Sequence, residues 1–109
     1  KRYGQSEASE YSDGWLTVDF IAKQAAVNGS PAKLTSLEFR LLAYLIKNGN
    51  RVVSKQELFD SVWEDKFTGD NTLNVHIRKI REAIEPDPGN PRYIITVWGD
   101  GYKFVGDKK

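Results

Sequence analysis

Asp70-Asn71-Thr72-Leu73-Asn74-Val75-His76-Ile77-Arg78-Lys79-Ile80-Arg81-Glu82-Ala83-Ile84 is the stretch on which the fold turns. At about 100° per residue, Leu73, Ile77, Ile80 and Ile84 fall within one narrow stripe, which predicts an amphipathic helix with that stripe on the core. Asp70 reads as its N-cap, and Pro86 and Pro88 end it. The opposite side carries Asn71, Val75 and Arg78, flanked by Thr72 and Lys79, with Glu82 further along. From Asn71 to Arg81 there are three cations, Arg78, Lys79 and Arg81, and no acid. A solvated helix ordinarily mixes acids and bases as i, i+4 pairs, so this face is unusual. Taken alone, a short basic stretch fits an exposed polar face equally well, and the neighbouring elements have to decide.

After the helix, Tyr93 to Val97 is rich in β-branched residues, Trp98-Gly99-Asp100-Gly101 can turn and Tyr102 to Val105 can return, which predicts a hairpin. Before it, Ser54-Lys55-Gln56-Glu57 has the form of a capping box and predicts a short helix to about Trp63, with Leu58, Phe59 and Val62 inward. Thr35-Ser36-Leu37-Glu38 has the same form and predicts a longer helix, stopped by Asn48-Gly49. Arg51-Val52-Val53, between these two, is too short for a strand of its own. Further back, Leu16, Val18 and Phe20 alternate with Trp15, Thr17 and Asp19 at the period of a half-buried strand. Gln24 to Val27 predicts a second strand, Asn28-Gly29 supplies the positive φ angles of a tight turn, and Ala32 to Leu34 returns. Lys1 to Asp13 is polar and reads as a linker or a remnant of expression, 14–105 as one domain, and 106–109 as a C-terminal tail. The expected fold is α+β: a winged helix-turn-helix with an N-terminal antiparallel β-sheet, three α-helices and a C-terminal β-hairpin wing.

Composition removes most other classes of function. A chain of 109 residues supports one core rather than two, and 39% hydrophobic content excludes a disordered chain. Cysteine is absent, so there is neither a disulfide framework nor a thiolate metal site. His76 is the only histidine, which leaves no histidine-rich metal site; on a basic face it is a poor general base and better suited to a phosphate. Asp60, Glu64 and Asp65 lie near a helix end, where carboxylates are ordinarily solvated, and Glu57 has a structural role as cap partner. No glycine-rich phosphate loop occurs. The chain is therefore read as no enzyme, with no cofactor and no metal. No apolar run is long enough to span a bilayer and the first residues lack the apolar core of a signal peptide, so the expected location is cytoplasmic.

A net charge of +1 decides nothing about nucleic acid, because local distribution governs binding. Lys1 to Phe20 holds four acids and two bases, whereas the basic residues of the predicted third helix stand without an acid until Glu82. Asn and Arg can read base edges bidentately, Val can meet a thymine methyl, and Lys and Thr can hold phosphates. These residues imply a double-stranded DNA binder, with helix 71–84 in the major groove and hairpin 93–105 on flanking backbone or in the minor groove. The alternative is a winged helix that binds another protein through the same surface, which predicts no DNA affinity even at low salt.

Leu34-Thr35-Ser36-Leu37-Glu38-Phe39-Arg40-Leu41-Leu42 resembles the start of the first helix in the OmpR/PhoB family of response-regulator output domains. Val52-Val53-Ser54-Lys55-Gln56-Glu57-Leu58, Val75-His76-Ile77-Arg78-Lys79-Ile80-Arg81 and Thr96-Val97-Trp98-Gly99-Asp100-Gly101-Tyr102 resemble later parts of it, in the family's order and spacing. The resemblance implies a four-stranded N-terminal sheet and binding to tandem DNA half-sites as a head-to-tail dimer. It implicates Thr72, Val75, His76, Arg78, Lys79 and Arg81 in DNA contact, with Trp63 at the end of the second helix against the backbone. On the wing it implicates Thr96, Gly99 and Tyr102, while Trp98 stands where many members carry an arginine that enters the minor groove and Asp100 adds an acid near the tip. The loop after the second helix, with Glu64, Asp65, Lys66 and Phe67, can meet RNA polymerase in the family. An N-terminal receiver domain and a cognate histidine kinase are the partners implied outside this sequence; a membrane-anchored sensor in place of the receiver is the variant.

Overall fold

The computed structural model describes residues 9–62 and 70–106, and for 70–72 the backbone only. Its elements run β1 Glu10–Ser12, β2 Leu16–Asp19, β3 Gln24–Val27, β4 Ser30–Ala32, α1 Ser36–Lys47, α2 Lys55–Val62, α3 Asp70–Ile84, β5 Ile94–Val97 and β6 Gly101–Phe104. The first four strands form an antiparallel sheet in sequence order, and the last two form a hairpin. This is the winged-helix arrangement expected from the sequence.

Two differences from that expectation exceed a single residue. β1 lies inside the segment read as a linker: Tyr11 pairs with Val18 and is 7% exposed, within the core. A three-residue strand with one apolar side chain leaves no periodic signal, so only its pairing reveals it. Asp13, in the same segment, accepts from the Trp15 and Leu16 backbone N–H and from the Tyr11 and Tyr93 hydroxyls. Burial opposes its ionisation, but these hydrogen bonds outweigh burial and hold its pKa below the ordinary carboxylate value. The other difference is β4, which starts at Ser30 rather than near Ala32. Asn28 and Gly29 take φ of 52° and 84°, and such a two-residue turn places Ser30 directly opposite Val27.

Thr35 caps α1 in a complete box: its hydroxyl accepts from Glu38 N–H, and the Glu38 carboxylate accepts from Thr35 N–H. At α2 only half of the expected box forms. Ser54 Oγ accepts from Glu57 N–H, while the Glu57 carboxylate turns instead to the Arg51 guanidinium and the Tyr44 hydroxyl. A guanidinium offers two charge-assisted donors where a cap offers one neutral amide, which accounts for the choice.

The core is closed by Leu41, Leu42 and Leu45 of α1, Leu58 of α2, the Leu73, Ile77, Ile80 and Ile84 stripe of α3, and Leu16 and Val18 of the sheet, all essentially inaccessible. Tyr93 stacks on Phe104 at 5.7 Å and Tyr11 meets the same ring edge-on at 5.4 Å, so the base of the hairpin is part of this core. Trp15 Nε1 donates to the carbonyl of Ile84, which ties the N-terminal sheet to the end of α3. No described helix is long and apolar enough to cross a membrane.

Candidate nucleic-acid interface

With its isoleucine and leucine stripe on the core, α3 turns Asn74, Val75, Arg78, Lys79 and Glu82 to the exterior. Val75 is 38% exposed, a branched apolar side chain held at the surface one turn ahead of Arg78 and Lys79. Asn71 and Thr72 lie in the first turn of the same helix. The outward face is thus the one anticipated from the helical repeat, and it carries no acid ahead of Glu82 among the described side chains.

The two flanks of α3 are occupied differently. Toward α1, His76 is largely covered, with Nδ1 3.7 Å from the buried Glu38 carboxylate. Toward the hairpin, Arg81 is half-buried: Nε and Nη2 donate to the Ile94 carbonyl, and Nη2 also to Thr96 Oγ1. Burial lowers the Arg81 pKa, while the fields of Tyr102 and Glu85 act the other way. Glu85, just past the helix and 6% exposed, accepts from the backbone N–H of Arg92, Tyr93 and Ile94. Tyr102 Oη donates to Asn74 Oδ1 at 2.6 Å.

The register of the hairpin explains why these partners are needed. Ile94 and Phe104 are opposite one another, and so are Thr96 and Tyr102, while the adjacent Tyr93 and Val105 are hydrogen-bonded. Antiparallel pairs alternate, so the N–H and C=O of Ile94 point away from β6 and would be an open edge. Glu85 and Arg81 satisfy that edge. On the other side, Val53 exchanges both backbone hydrogen bonds with Tyr102, and Asn50 N–H donates to the Phe104 carbonyl. The segment read as too short for a strand is therefore a single bridge that covers the second edge. Gly101 allows this approach: it sits at φ 148°, and a Cβ there would stand 2.1 Å from the Val53 carbonyl oxygen.

The hairpin is thus fastened to α3 at its base and middle, and its tip stands free of the core. Trp98 is 89% exposed at that tip, followed by Gly99 at φ 86° and exposed Asp100. A cleft of about 570 Å³ runs between helix and hairpin, lined by Lys55, Asn74, Arg78, Trp98 and Gly99 among others. Lys55 was not singled out from the sequence. As the first residue of α2 it brings a cation to the cleft from a second helix, a placement that only the packing of α2 and α3 on α1 creates.

Of the residues anticipated as contacts, Val75, Arg78, Lys79, Trp98 and Gly99 are exposed at this surface, and Thr96, Arg81 and Tyr102 are engaged within it. Trp63, Glu64, Asp65, Lys66 and Phe67 lie outside the described residues. No group of His, Cys, Asp or Glu suited to a metal occurs among the described residues.

The comparisons with known proteins agree with this geometry. The chain is 43% identical over 90 residues to the uncharacterized transcriptional regulatory protein YcbL of Bacillus subtilis, a match covering 82% of this chain and 40% of that protein. It is 41% identical over 111 residues to the sensory transduction protein RegX3 of Mycobacterium tuberculosis, covering 96% of this chain and 49% of that one. The chain therefore spans about half the length, or less, of these curated relatives. Among solved structures, the response regulator DrrB, a Thermotoga maritima OmpR/PhoB homolog, superimposes with a TM-score of 0.84 at 37% identity, over 90% of this chain and 45% of that one. Residues 29–104 match the family described as transcriptional regulatory protein, C terminal. The chain belongs to that family, the OmpR/PhoB-type DNA-binding domains of transcription regulators, which are not enzymes.

Proposed function

We propose that this chain binds double-stranded DNA sequence-specifically as the output domain of a bacterial response regulator, with α3 in the major groove and the wing on the flanking backbone or in the minor groove. The observation that carries this reading is the pairing of an outward face on α3, which bears no acid ahead of Glu82 among the described side chains, with a hairpin hydrogen-bonded to its flank. Val75 and Arg78 meet base edges, with Asn71 and Thr72 ahead of them, and Lys79 serves the phosphates, while His76, largely covered beside Glu38, stands behind them. Arg81, Thr96 and Tyr102 act by holding the wing at a set distance from the helix. Trp98 and Gly99 reach the backbone beyond the groove.

One helix and one wing make a small interface, so two copies bind tandem direct repeats head to tail, their centres about one helical turn, ~10–11 base pairs, apart. In the whole protein, which works in the cytoplasm, a receiver domain answering to a histidine kinase controls this pairing, and Glu64 to Phe67 contact RNA polymerase. Selection from random duplexes tests the reading: recovered sequences should contain two direct repeats, and affinity should fall steeply with salt as phosphate contacts release counterions. Inserting half a helical turn between the repeats should abolish cooperativity. Equal affinity for one half-site and for the tandem pair would rule out cooperative binding by this chain.

A further inference from the structure

Asn74 is the fifth residue of α3, exposed and on the flank beside the wing. Its carbonyl oxygen is taken by the Tyr102 hydroxyl. A carboxamide has one acceptor and one NH2 donor, and an anchored acceptor fixes which of the two faces a partner. The amide nitrogen carries no hydrogen bond among the described residues. In helix-turn-helix docking the N-terminal half of the recognition helix meets the base edges, and Asn74 lies in that half.

We infer that Asn74, oriented by Tyr102, reads one base of the half-site through its amide N–H, and so selects a base that offers acceptors in the major groove. This rests on the DNA-binding reading above. Guanine offers N7 and O6, adenine N7 and thymine O4, while cytosine presents its N4 amino group as a donor. Cytosine is the base that Asn74 in this orientation disfavours. Tyr102 is a positioning residue here: it touches no base and acts by holding the amide.

The orientation makes Asn74→Asp the informative change. A carboxylate accepts the Tyr102 hydroxyl as the amide carbonyl does, so the link to the wing persists, but the outward group becomes an acceptor. Selection from random duplexes by the 109-residue chain and by N74D, each also followed by thermal melting, should give motifs that differ at one position per half-site. That position should change from excluding cytosine to preferring it, with the other positions unaltered. Asn74→Ala removes both edges, and its position should lose discrimination by about three- to tenfold, the scale of a single hydrogen bond. Tyr102→Phe releases the amide and, among the positions that α3 reads, should relax that one, whatever it changes at the wing. An N74D motif identical to that of the unaltered chain overturns the inference, as does a loss spread equally over all sequences, which would mark a phosphate contact. If N74D melts far below the parent chain, N74A decides by the same criterion, since alanine is the strongest helix former. An unaltered chain that selects no sequence overturns the DNA-binding reading, and this one with it.

Discussion

Arg78 and Arg81 stand three positions apart on α3, and the two surfaces they occupy use the same side chain in different ways. On the outward face, Arg78 is exposed beside Val75 and Lys79. On the wing-facing flank, Arg81 is half-buried and donates to the Ile94 carbonyl and the Thr96 hydroxyl. The difference arises from what lies opposite. An open strand edge with an unmet carbonyl captures a guanidinium, and a solvent face leaves it free for a partner. Residue type therefore assigns neither role until the second surface is in place.

The strongest test of the wing-facing flank is Glu85, whose carboxylate satisfies three backbone N–H groups in a buried position. Glu85→Ala should cost about 3–5 kcal/mol in urea denaturation, because removing a buried acceptor leaves its donors unmatched. A loss below about 1 kcal/mol would show that water reaches those amides and that the flank is no more buried than the outward face. The two arginines come next. Arg81→Ala should lower stability by about 1–3 kcal/mol, and Arg78→Ala should leave it within about 0.5 kcal/mol. In DNA titrations Arg78→Ala should lose about 1–3 kcal/mol of affinity, concentrated at one base position if it reads guanine. Reversal of this pattern would break the assignment of the two faces.

A third arginine sharpens the contrast at smaller scale. Arg51 is exposed, and its guanidinium together with the Tyr44 hydroxyl pulls the Glu57 pKa from 4.5 to about 2. The folded value is the lower one, so this contribution is present above pH 4.5 and is lost as pH falls from there toward 2. Glu57→Gln should flatten the dependence of the melting midpoint on pH across that window, with a small effect because the pair is solvated. Asp13, also lowered, shifts in the same direction and keeps part of the acid sensitivity in that variant. An unchanged pH profile would mean that the Arg51 pair adds nothing to folding.

Legibility in the sequence followed the length of each periodic pattern. The isoleucine and leucine stripe of α3, the capping box of α1 and the Asn28-Gly29 turn were readable because each depends on local stereochemistry within a few residues. β1 was not, since a three-residue strand shows its identity only when Tyr11 pairs with Val18. The outward face of the site was readable as the complement of the core stripe. The flanks were not, because a helical wheel gives an angle but not the neighbour at that angle.

By itself the sequence determined the order of elements from β2 onward, the buried stripe of α3 and the cation-rich face opposite to it, all consequences of hydrophobic period and backbone preference acting over one or two turns. Tertiary structure alone decided that Arg81 and Glu85 close the edge of the hairpin, that Lys55 joins the cleft, and that Tyr102 takes the carbonyl of Asn74. The hydrogen bonds among them join groups up to 28 residues apart in the chain, as with Asn74 and Tyr102. The closing of the hairpin edge follows from the alternation of hydrogen-bonded and open positions in β5, which presents the backbone of Ile94 to Arg81 and Glu85 only once the hairpin has docked.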